Sequence, residues 1–298
     1  MKKSLVTGGA GFIGSHLVDK LLSLGHEVIV IDNESSDGHD EYYWNKNSQN
    51  HKLDIRDFSS IAPLFVGVDY VYHLAAKASV QASVDNPLPT ISTQVMGTAN
   101  VLEAARLSGV EKFIYSSTSA CYGNRNPIPN VETMREDPLN AYAIGKLSGE
   151  QLVKSYYGLY GLKTIAFRYT NVYGERARHV GTYAPAVSKF LKMRKEEQPL
   201  TIFGDGLQRR DFIHVSDVVQ ANALISFMEC DNWGEVYNIG FGKNWSIQEI
   251  ANAISDNQIH LSGRPGEMRE TLADIRKATS ELTWKPKVDI LEWIQKQL

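Results

Sequence analysis

A glycine-rich turn near the start of the chain, TGGAGFIG at residues 7–14, constrains the possible fold more than any other feature. An apolar run at residues 4–7 precedes it, and apolar residues at helical spacing follow it through residue 24. Glycine at positions 8, 11 and 14 permits a tight turn and a close approach of the backbone to a pyrophosphate. The free N–H groups at the start of the following helix suit the same phosphates. This order of strand, turn and helix predicts a dinucleotide site. Its expected contact residues are Gly8, Gly11, Phe12, Ile13 and Gly14.

The first 170 residues alternate short apolar runs with longer amphipathic stretches. Strands alternating with helices predict βαβ units, and hence a doubly wound α/β fold with a parallel, Rossmann-type sheet. The predicted strands are residues 4–7, 27–32, 49–53, 70–74, 112–117 and 163–169, and the predicted helices are residues 11–24, 89–107 and 141–157.

The pattern becomes looser after residue 170, where Gly and Pro are frequent and the predicted strands are short. These strands are residues 200–203, 212–215 and 236–239, and the helices between them are residues 216–228 and 246–254. We therefore expect residues 1–170 to form the cofactor-binding domain. Residues 171–298 are expected to form a smaller, irregular substrate-binding region, part of which, about 212–240, returns to the first domain.

An acidic residue at the end of the second predicted strand identifies the cofactor. Asp32 lies near the expected spacing of about 20 residues beyond the glycine turn. A carboxylate there accepts hydrogen bonds from a ribose 2′-OH and repels a 2′-phosphate, which predicts NAD and not NADP. Strand ends also contribute to the expected cofactor site, namely Asp54 and Ile55 beside the adenine, and Leu74, Ala75 and Ala76 against the dinucleotide.

Composition excludes several other classes of protein. The net charge is −3 without a basic block, so we expect no nucleic-acid partner, and the apolar runs are too short to cross a membrane. Cys121 and Cys230 are the two cysteines in the chain, and no Cys or His pair has metal-ligand spacing. With no signal peptide before the first strand, these features predict a reduced, cytoplasmic protein without a metal site.

A Tyr and a Lys four residues apart predict the catalytic chemistry. Tyr142 and Lys146 in YAIGK lie on one face of a predicted helix. A nearby ammonium is expected to lower the pKa of the phenol, which can then exchange a proton with a sugar hydroxyl. The run of hydroxyl residues 116–118 ends the fifth strand, and a hydroxyl there can share the substrate proton.

With these features the chain resembles the extended short-chain dehydrogenases, in the group that contains UDP-galactose and UDP-N-acetylglucosamine 4-epimerases. The resemblance runs from about residue 4 to residue 286. The segments that carry it are LVTGGAGFIGSHL, VIVIDN, HLAA, FIYSSTSACYG, YAIGK, FRYTNVYG, GDGLQRRDFIHVSD, YNIG and GRPGE. It implies an NAD-dependent isomerase acting on a nucleotide-activated sugar.

The resemblance also implies roles for individual residues. Asp32 and Asn33 would bind the adenosine ribose, and Tyr169 would face the nicotinamide. Thr118, Tyr142 and Lys146 would form the catalytic set. The substrate would contact Thr118, Tyr142, Asn171, Arg210, Arg264, Glu267 and Thr271, with the two arginines holding the diphosphate and Glu267 the uridine ribose.

The position two residues after Thr118 separates related reactions. Dehydratases of the resembled family have an Asp-Glu pair just after that hydroxyl, decarboxylases have Glu at the second position, and 3,5-epimerases have Cys. Here that position is Ala120, which cannot act as acid or base, and we interpret Cys121 as a packed residue on the opposite side of an extended chain. We therefore expect 4-epimerisation of a UDP-hexose through a transient 4-keto intermediate, with NAD retained during turnover.

Thr271 is the position implied to select the sugar, because bulk there would exclude an acetamido group. Its small side chain predicts that UDP-GlcNAc and UDP-GalNAc are accepted, besides or in place of UDP-glucose and UDP-galactose. The alternatives are a UDP-glucuronate epimerase or decarboxylase, another sugar-nucleotide dehydrogenase or reductase, and a non-catalytic NAD-sensing protein. The resemblance further implies a homodimer, paired as a four-helix bundle through residues 95–107 and 142–157.

Overall fold

The computed structural model describes residues 1–36, 41–179, 185–229, 232–263 and 268–298. The strands are β1 (Lys3–Thr7), β2 (Glu27–Asp32), β3 (Gln49–Lys52), β4 (Tyr70–His73), β5 (Lys112–Thr118), β6 (Lys163–Tyr169), β7 (Asn171–Tyr173), β8 (Leu200–Phe203), β9 (Arg209–His214), β10 (Glu235–Ile239), β11 (Asn244–Ser246) and β12 (Gln258–Leu261). Within the described ranges, seven parallel strands form the main sheet in the order β10-β6-β5-β4-β1-β2-β3. This confirms the doubly wound α/β fold.

Helices cover both faces of this sheet, and further helices pack against the C-terminal strands. They are α1 (Phe12–Ser23), α2 (Phe58–Ile61), α3 (Val80–Asp85), α4 (Pro87–Ile91), α5 (Thr98–Leu107), α6 (Ala141–Tyr160), α7 (Ala186–Lys195), α8 (Val215–Leu224), α9 (Ile247–Ile254), α10 (Arg276–Glu281) and α11 (Ile290–Gln295). Each helix in the described part of the chain is too short or too polar to cross a bilayer.

Apolar strands explain why the sheet lies in the middle of the molecule. All seven residues of β5 are buried, as expected for a parallel strand covered on both faces. One apolar cluster packs α1 and α8 on one face, and a second packs α5 on the other. Strand β1 lies between β4 and β2, so the order in which successive strands are added to the sheet reverses at β1. A crevice opens beyond the carboxyl ends of the strands at such a point.

The C-terminal region partly returns to the main sheet. Strand β10 pairs with β6 at the edge of the main sheet. Strand β9 pairs with β7 and β11 in a separate three-stranded sheet, and β8 pairs with β12 in a two-stranded one. A third apolar cluster packs these strands against α7, α9 and α11. The division of the chain at residue 170 remains a prediction.

The predicted helix at residues 89–107 is interrupted. Residues 92–97 form a π-helical turn between α4 and α5, in which the side chains of Thr93 and Gln94 are buried. Such turns are frequent at functional sites, and Thr93 does line the cavity described below.

Candidate active site

The glycine turn packs directly against the end of β4. Gly8 has a φ of +70°, and a Cβ there would lie only 2.7 Å from the backbone nitrogen of Ala75. A Cβ on Gly14 would lie 2.1 Å from the oxygen of Gly8, so both positions require glycine. Gly11 is the N-cap of α1, and within the described chain no side chain caps this helix. Its first N–H groups are therefore free of a side-chain cap and suited to donate hydrogen bonds to an anionic group.

A cavity of about 330 Å³ lies beyond the turn, at the carboxyl ends of the parallel strands. The predicted cofactor residues that line it are Gly8, Gly11, Phe12, Ile13, Gly14, Asp32, Asn33, Ile55, Leu74, Ala75, Ala76, Tyr142, Lys146 and Tyr169. The glycine turn offers backbone N–H groups for a pyrophosphate, and the carboxylate at the end of β2 offers an acceptor for a ribose hydroxyl. The residues of the cavity therefore fit NAD.

Backbone N–H groups hold the carboxylate of Asp32. Its two oxygens accept hydrogen bonds from the nitrogen of Ala10 over 3.1 Å and from that of Glu34 over 2.8 Å. Asn33 also lines the cavity, and its amide donates to Asp54 over 2.9 Å. Asp54 itself does not line the cavity, and its hydrogen bond with Arg56 lowers the pKa of its carboxyl to about 2. A cofactor contact by Asp54 remains a prediction.

Lys146 is fixed by the end of β5. Its Nζ donates to the backbone oxygen of Ser116 over 2.6 Å and lies 5.2 Å from the ring centre of Tyr115. Burial lowers the pKa of this ammonium to about 8, and the charge of Glu150 opposes that shift. The ammonium is therefore lost at a lower pH than that of an ordinary lysine.

Tyr142 differs from the sequence-based expectation. Burial raises the pKa of its phenol, whereas a lowered pKa was predicted from the neighbouring lysine. A hydrogen-bonding interaction with the Thr118 hydroxyl opposes the rise. The predicted direction was wrong because removal of the phenol from water raises its pKa by more than the hydrogen bond with Thr118 lowers it.

A buried ion pair between α6 and β6 lies one helical turn beyond Lys146. Glu150 lies one helical turn after Lys146, and its carboxylate accepts from Arg168 Nη2 over 2.7 Å and from the hydroxyl of Ser117. Glu150 and Arg168 are almost fully buried. These two residues were not predicted from the sequence, although the i, i+4 series from Tyr142 through Lys146 indicates Glu150.

The strand ends around the cavity are held by further polar contacts. The hydroxyl of Tyr169 accepts from the amide of Asn222 over 2.7 Å and lies 3.1 Å from that of Ser116. Residues 119–122 form a 3-10 helix, so the extended chain expected there is absent. Cys121 is nevertheless packed as predicted, since it is fully buried and donates to the oxygen of Thr118 over 3.0 Å.

A second cavity, of about 200 Å³, lies beside the first and contains two predicted substrate residues, Asn171 and Arg210. The amide of Asn171 donates to the oxygen of Asp211 over 3.0 Å. Thr271 is half-buried, and its hydroxyl accepts from the nitrogen of Asp211 over 3.3 Å. The predicted substrate residues Arg264 and Glu267 lie outside the described residues.

Two basic residues near the first cavity were not predicted. Lys77 follows β4, and its ammonium donates to the backbone oxygen of Ser35, a residue that lines the cavity. Arg178 lines both this cavity and a small adjoining one that contains Lys77. A sequence signal for Arg178 is its position shortly after the predicted substrate residue Asn171.

Comparison with known proteins is consistent with this geometry. Residues 4–240 match the model of the NAD dependent epimerase/dehydratase family. A putative UDP-glucose 4-epimerase of Methanocaldococcus jannaschii is 40% identical, over 98% of this chain and 96% of that protein. A UDP-glucuronate 4-epimerase of Thermodesulfobacterium geofontis is 34% identical, over 98% of this chain and 94% of that protein.

Two solved structures show the same likeness. The UDP-glucose 4-epimerase of Thermotoga maritima, solved with UDP-glucose, has a TM-score of 0.92 and 37% identity, covering 98% of this chain and 96% of that one. The UDP-N-acetylglucosamine 4-epimerase of Methanobrevibacter ruminantium, in complex with UDP-N-acetylmuramic acid, has a TM-score of 0.90 and 34% identity. The match covers 100% of this chain and 99% of that one.

Proposed function

This chain belongs to the NAD-dependent epimerase/dehydratase family and is an NAD-dependent UDP-sugar epimerase, and we propose that it interconverts the C4 epimers of UDP-hexoses, UDP-GlcNAc and UDP-GalNAc included. The observation that carries the proposal is the set of contacts between α6 and the end of β5. Tyr142 interacts with Thr118, and Lys146 bonds Ser116, beside a cavity that fits NAD.

In this proposal Tyr142 takes the proton from the 4′-hydroxyl and later returns it, while Thr118 holds the same oxygen. NAD supplies the chemistry of accepting a hydride from C4 and giving it back to the other face of the ketone. The charge of Lys146 is proposed to oppose the rise that burial causes in the pKa of the Tyr142 phenol. Ala120, whose N–H donates to the Thr118 hydroxyl over 3.2 Å, offers no acid for dehydration or base at C5.

The proposal is tested by incubating the purified enzyme, without added cofactor, with UDP-GlcNAc and separately with UDP-glucose. Appearance of UDP-GalNAc on chromatography supports 4-epimerisation with retained NAD, and the ratio of the two rates defines the sugar preference. If neither sugar reacts, even after NAD is added, the assignment to UDP-hexoses is wrong.

UDP-glucuronate is a second candidate substrate, favoured by a different observation. Arg178 lines the cavity that Tyr142 and Lys146 also line, and Lys77 lies with Arg178 in the small adjoining cavity. A guanidinium pairs well with a carboxylate such as the one at C6 of glucuronate. If this is the substrate, Arg178→Ala should raise the KM for UDP-glucuronate much more than that for UDP-glucose. An equal change for both sugars would argue against it.

We also propose that the protein forms a homodimer through α5 and α6. The support is a set of exposed apolar side chains on and beside these helices: Met96, Leu107, Ile144 and Leu159. Light scattering should give twice the mass of one chain, and Ile144→Lys should weaken the dimer. Leu207→Lys is the matched control, because Leu207 is equally apolar and exposed but lies before β9.

A further inference from the structure

Asp211 lies in the middle of β9 and is completely buried. Its neighbours Arg210 and Phe212 both line the second cavity, whereas Asp211 does not. Successive side chains of a strand point to opposite faces, so Asp211 faces the interior behind the strand. It cannot contact a ligand in that cavity and must act through other residues.

The carboxylate of Asp211 joins three separate segments of the chain. One oxygen accepts from the nitrogen of Phe241 over 2.8 Å and from the hydroxyl of Thr170 over 3.3 Å. The other accepts from the nitrogens of Ala273 over 3.1 Å and Gly242 over 3.3 Å. These donors lie beyond β6, beyond β10 and before α10, which are far apart in sequence.

The same segments carry the predicted substrate residues. Thr170 precedes Asn171, whose amide donates to the backbone oxygen of Asp211. Ala273 follows closely after Thr271, whose hydroxyl accepts from the backbone nitrogen of Asp211. Arg210 is adjacent on β9. Asn171, Arg210 and Thr271 are thus all connected to residue 211 by a covalent bond or a hydrogen bond.

The surroundings of Asp211 leave little freedom for this arrangement. A Cβ on Gly240 would lie 2.8 Å from its Oδ2, so the loop after β10 is in close contact with the carboxylate. Burial raises the pKa of Asp211 to about 6, and the hydrogen bonds from its donors oppose that rise. Burying a carboxylate is costly unless hydrogen bonds compensate. The donors Thr170, Phe241, Gly242 and Ala273 therefore hold Asp211 in a fixed arrangement, which we call the junction.

We infer that Asp211 is a positioning residue for the nucleotide-sugar site, which sets the relative placement of Asn171, Arg210 and Thr271 without touching the substrate. This inference rests on the proposed function, because it assumes that the second cavity binds the UDP moiety. Asp211 and its donors do not themselves line the NAD cavity, so disruption of the junction should leave NAD binding largely intact.

The test is Asp211→Asn in the full-length enzyme, with UDP itself as the probe. The new amide would direct N–H groups at backbone N–H donors, so the junction should open. We expect the Kd for UDP, measured by calorimetry, to rise by about tenfold or more. The KM for the UDP-sugar should rise in parallel, and the amount of NAD that co-purifies should stay the same.

Asp217→Asn is a matched control. Asp217, in α8, is also a buried carboxylate. It accepts from the backbone nitrogens of Lys287 and Val288 over 3.0 and 3.1 Å, which lie before α11. A purely structural role predicts that both variants lower the Tm and leave UDP binding unchanged, which would overturn the inference. We expect the control to lower the Tm without changing the Kd for UDP.

A milder variant keeps the test decisive if Asp211→Asn does not fold. Thr170→Val removes one donor at nearly constant volume and should raise the Kd for UDP about two- to tenfold, with NAD content unchanged. An unchanged Kd in this variant would overturn the inference. If the wild-type enzyme itself does not bind UDP, the proposed function is wrong, which is a separate outcome from failure of the variants.

Discussion

The ammonium of Lys146 donates to the backbone oxygen of Ser116 over 2.6 Å and so connects α6, the helix of the proposed catalytic residues, to the end of β5. Two neighbouring contacts join the same helix and strand: Tyr142 interacts with Thr118, and the carboxylate of Glu150 accepts from the hydroxyl of Ser117. Three consecutive turns of one helix therefore contact three consecutive residues of one strand. This arrangement fixes the phenol, the ammonium and the hydroxyl relative to one another.

The pKa of Lys146 predicts a pH dependence. Burial lowers this pKa to about 8, below the ordinary value of 10.5, so the ammonium is lost as the pH rises through about 8. Since the charged form supports ionisation of Tyr142, kcat should fall above that pH. Because the folded-state pKa is the lower one, the stability linked to this group should increase between about pH 8 and 10.5.

Rates measured from pH 6 to 10 with saturating UDP-sugar test this prediction. Lys146→Arg keeps a positive charge that cannot titrate in this range, so it should lower the rate but remove the decrease near pH 8. A wild-type profile that stays flat up to pH 10 would contradict the assignment of Lys146.

Tyr142→Phe should lower kcat by about 10²- to 10⁴-fold, because it removes the group that takes and returns the proton. The buried site should keep its packing, since only the hydroxyl is lost. NAD should therefore still co-purify, and the Kd for UDP should not change. Stopped assays with UDP-glucose measure the effect, and retention of most of the activity would exclude Tyr142 as the catalytic acid and base.

The strand ends within residues 1–170 were predictable because the local signals agree there. The glycine turn, the apolar runs and Asp32 follow one another in a fixed order, and the predicted cofactor residues lie at the carboxyl ends of strands that a parallel sheet brings together. Thr118 and Tyr142 also meet as expected. Position in the sheet, and not chemistry alone, made these residues recognisable.

Other features depend on packing that no local pattern encodes. The pKa of Tyr142 is set by how deeply α6 is buried, and the three-stranded sheet of β9 depends on pairing partners far apart in sequence. The Glu150–Arg168 pair joins a helix to a strand, and neither residue is unusual by itself. Arg178 becomes a candidate only when its loop is placed beside the cavity.

Asp32→Ala should weaken NAD retention, because the carboxylate can no longer accept from the ribose. Loss of hydrogen bonds to a charged group corresponds to about 1.5–3 kcal/mol, which is roughly tenfold to a hundredfold in affinity. The variant should also be reloaded by NADP more readily than the wild type. The NAD released on denaturation gives the readout, and Asp54→Asn, at the neighbouring carboxylate outside the cavity, decides whether Asp54 contributes.

Thr271→Tyr should reduce activity on UDP-GlcNAc by about tenfold or more while largely sparing UDP-glucose. The reason is that the aromatic ring of the new side chain would occupy the space of the acetamido group. The hydroxyl of Thr271 accepts from Asp211, so Thr271→Ser is the appropriate control for that hydrogen bond. The measurement is the ratio of kcat/KM for the two sugars. Equal losses on both sugars would show that Thr271 does not select the C2 substituent.

Glu150→Ala should lower the free energy of unfolding by about 3–5 kcal/mol, because it leaves the guanidinium of Arg168 buried without its main partner. Arg168 is 1% exposed in its side chain, so water cannot replace the carboxylate. Arg269→Ala is the control, because the Arg269–Asp205 pair has side chains that are 63% and 52% exposed and should contribute less than about 1 kcal/mol. Urea denaturation measures both. If the two variants lose similar amounts, the buried pair does not support α6, and the effect of Glu150 on the catalytic site would then have to come from its charge near Lys146 alone.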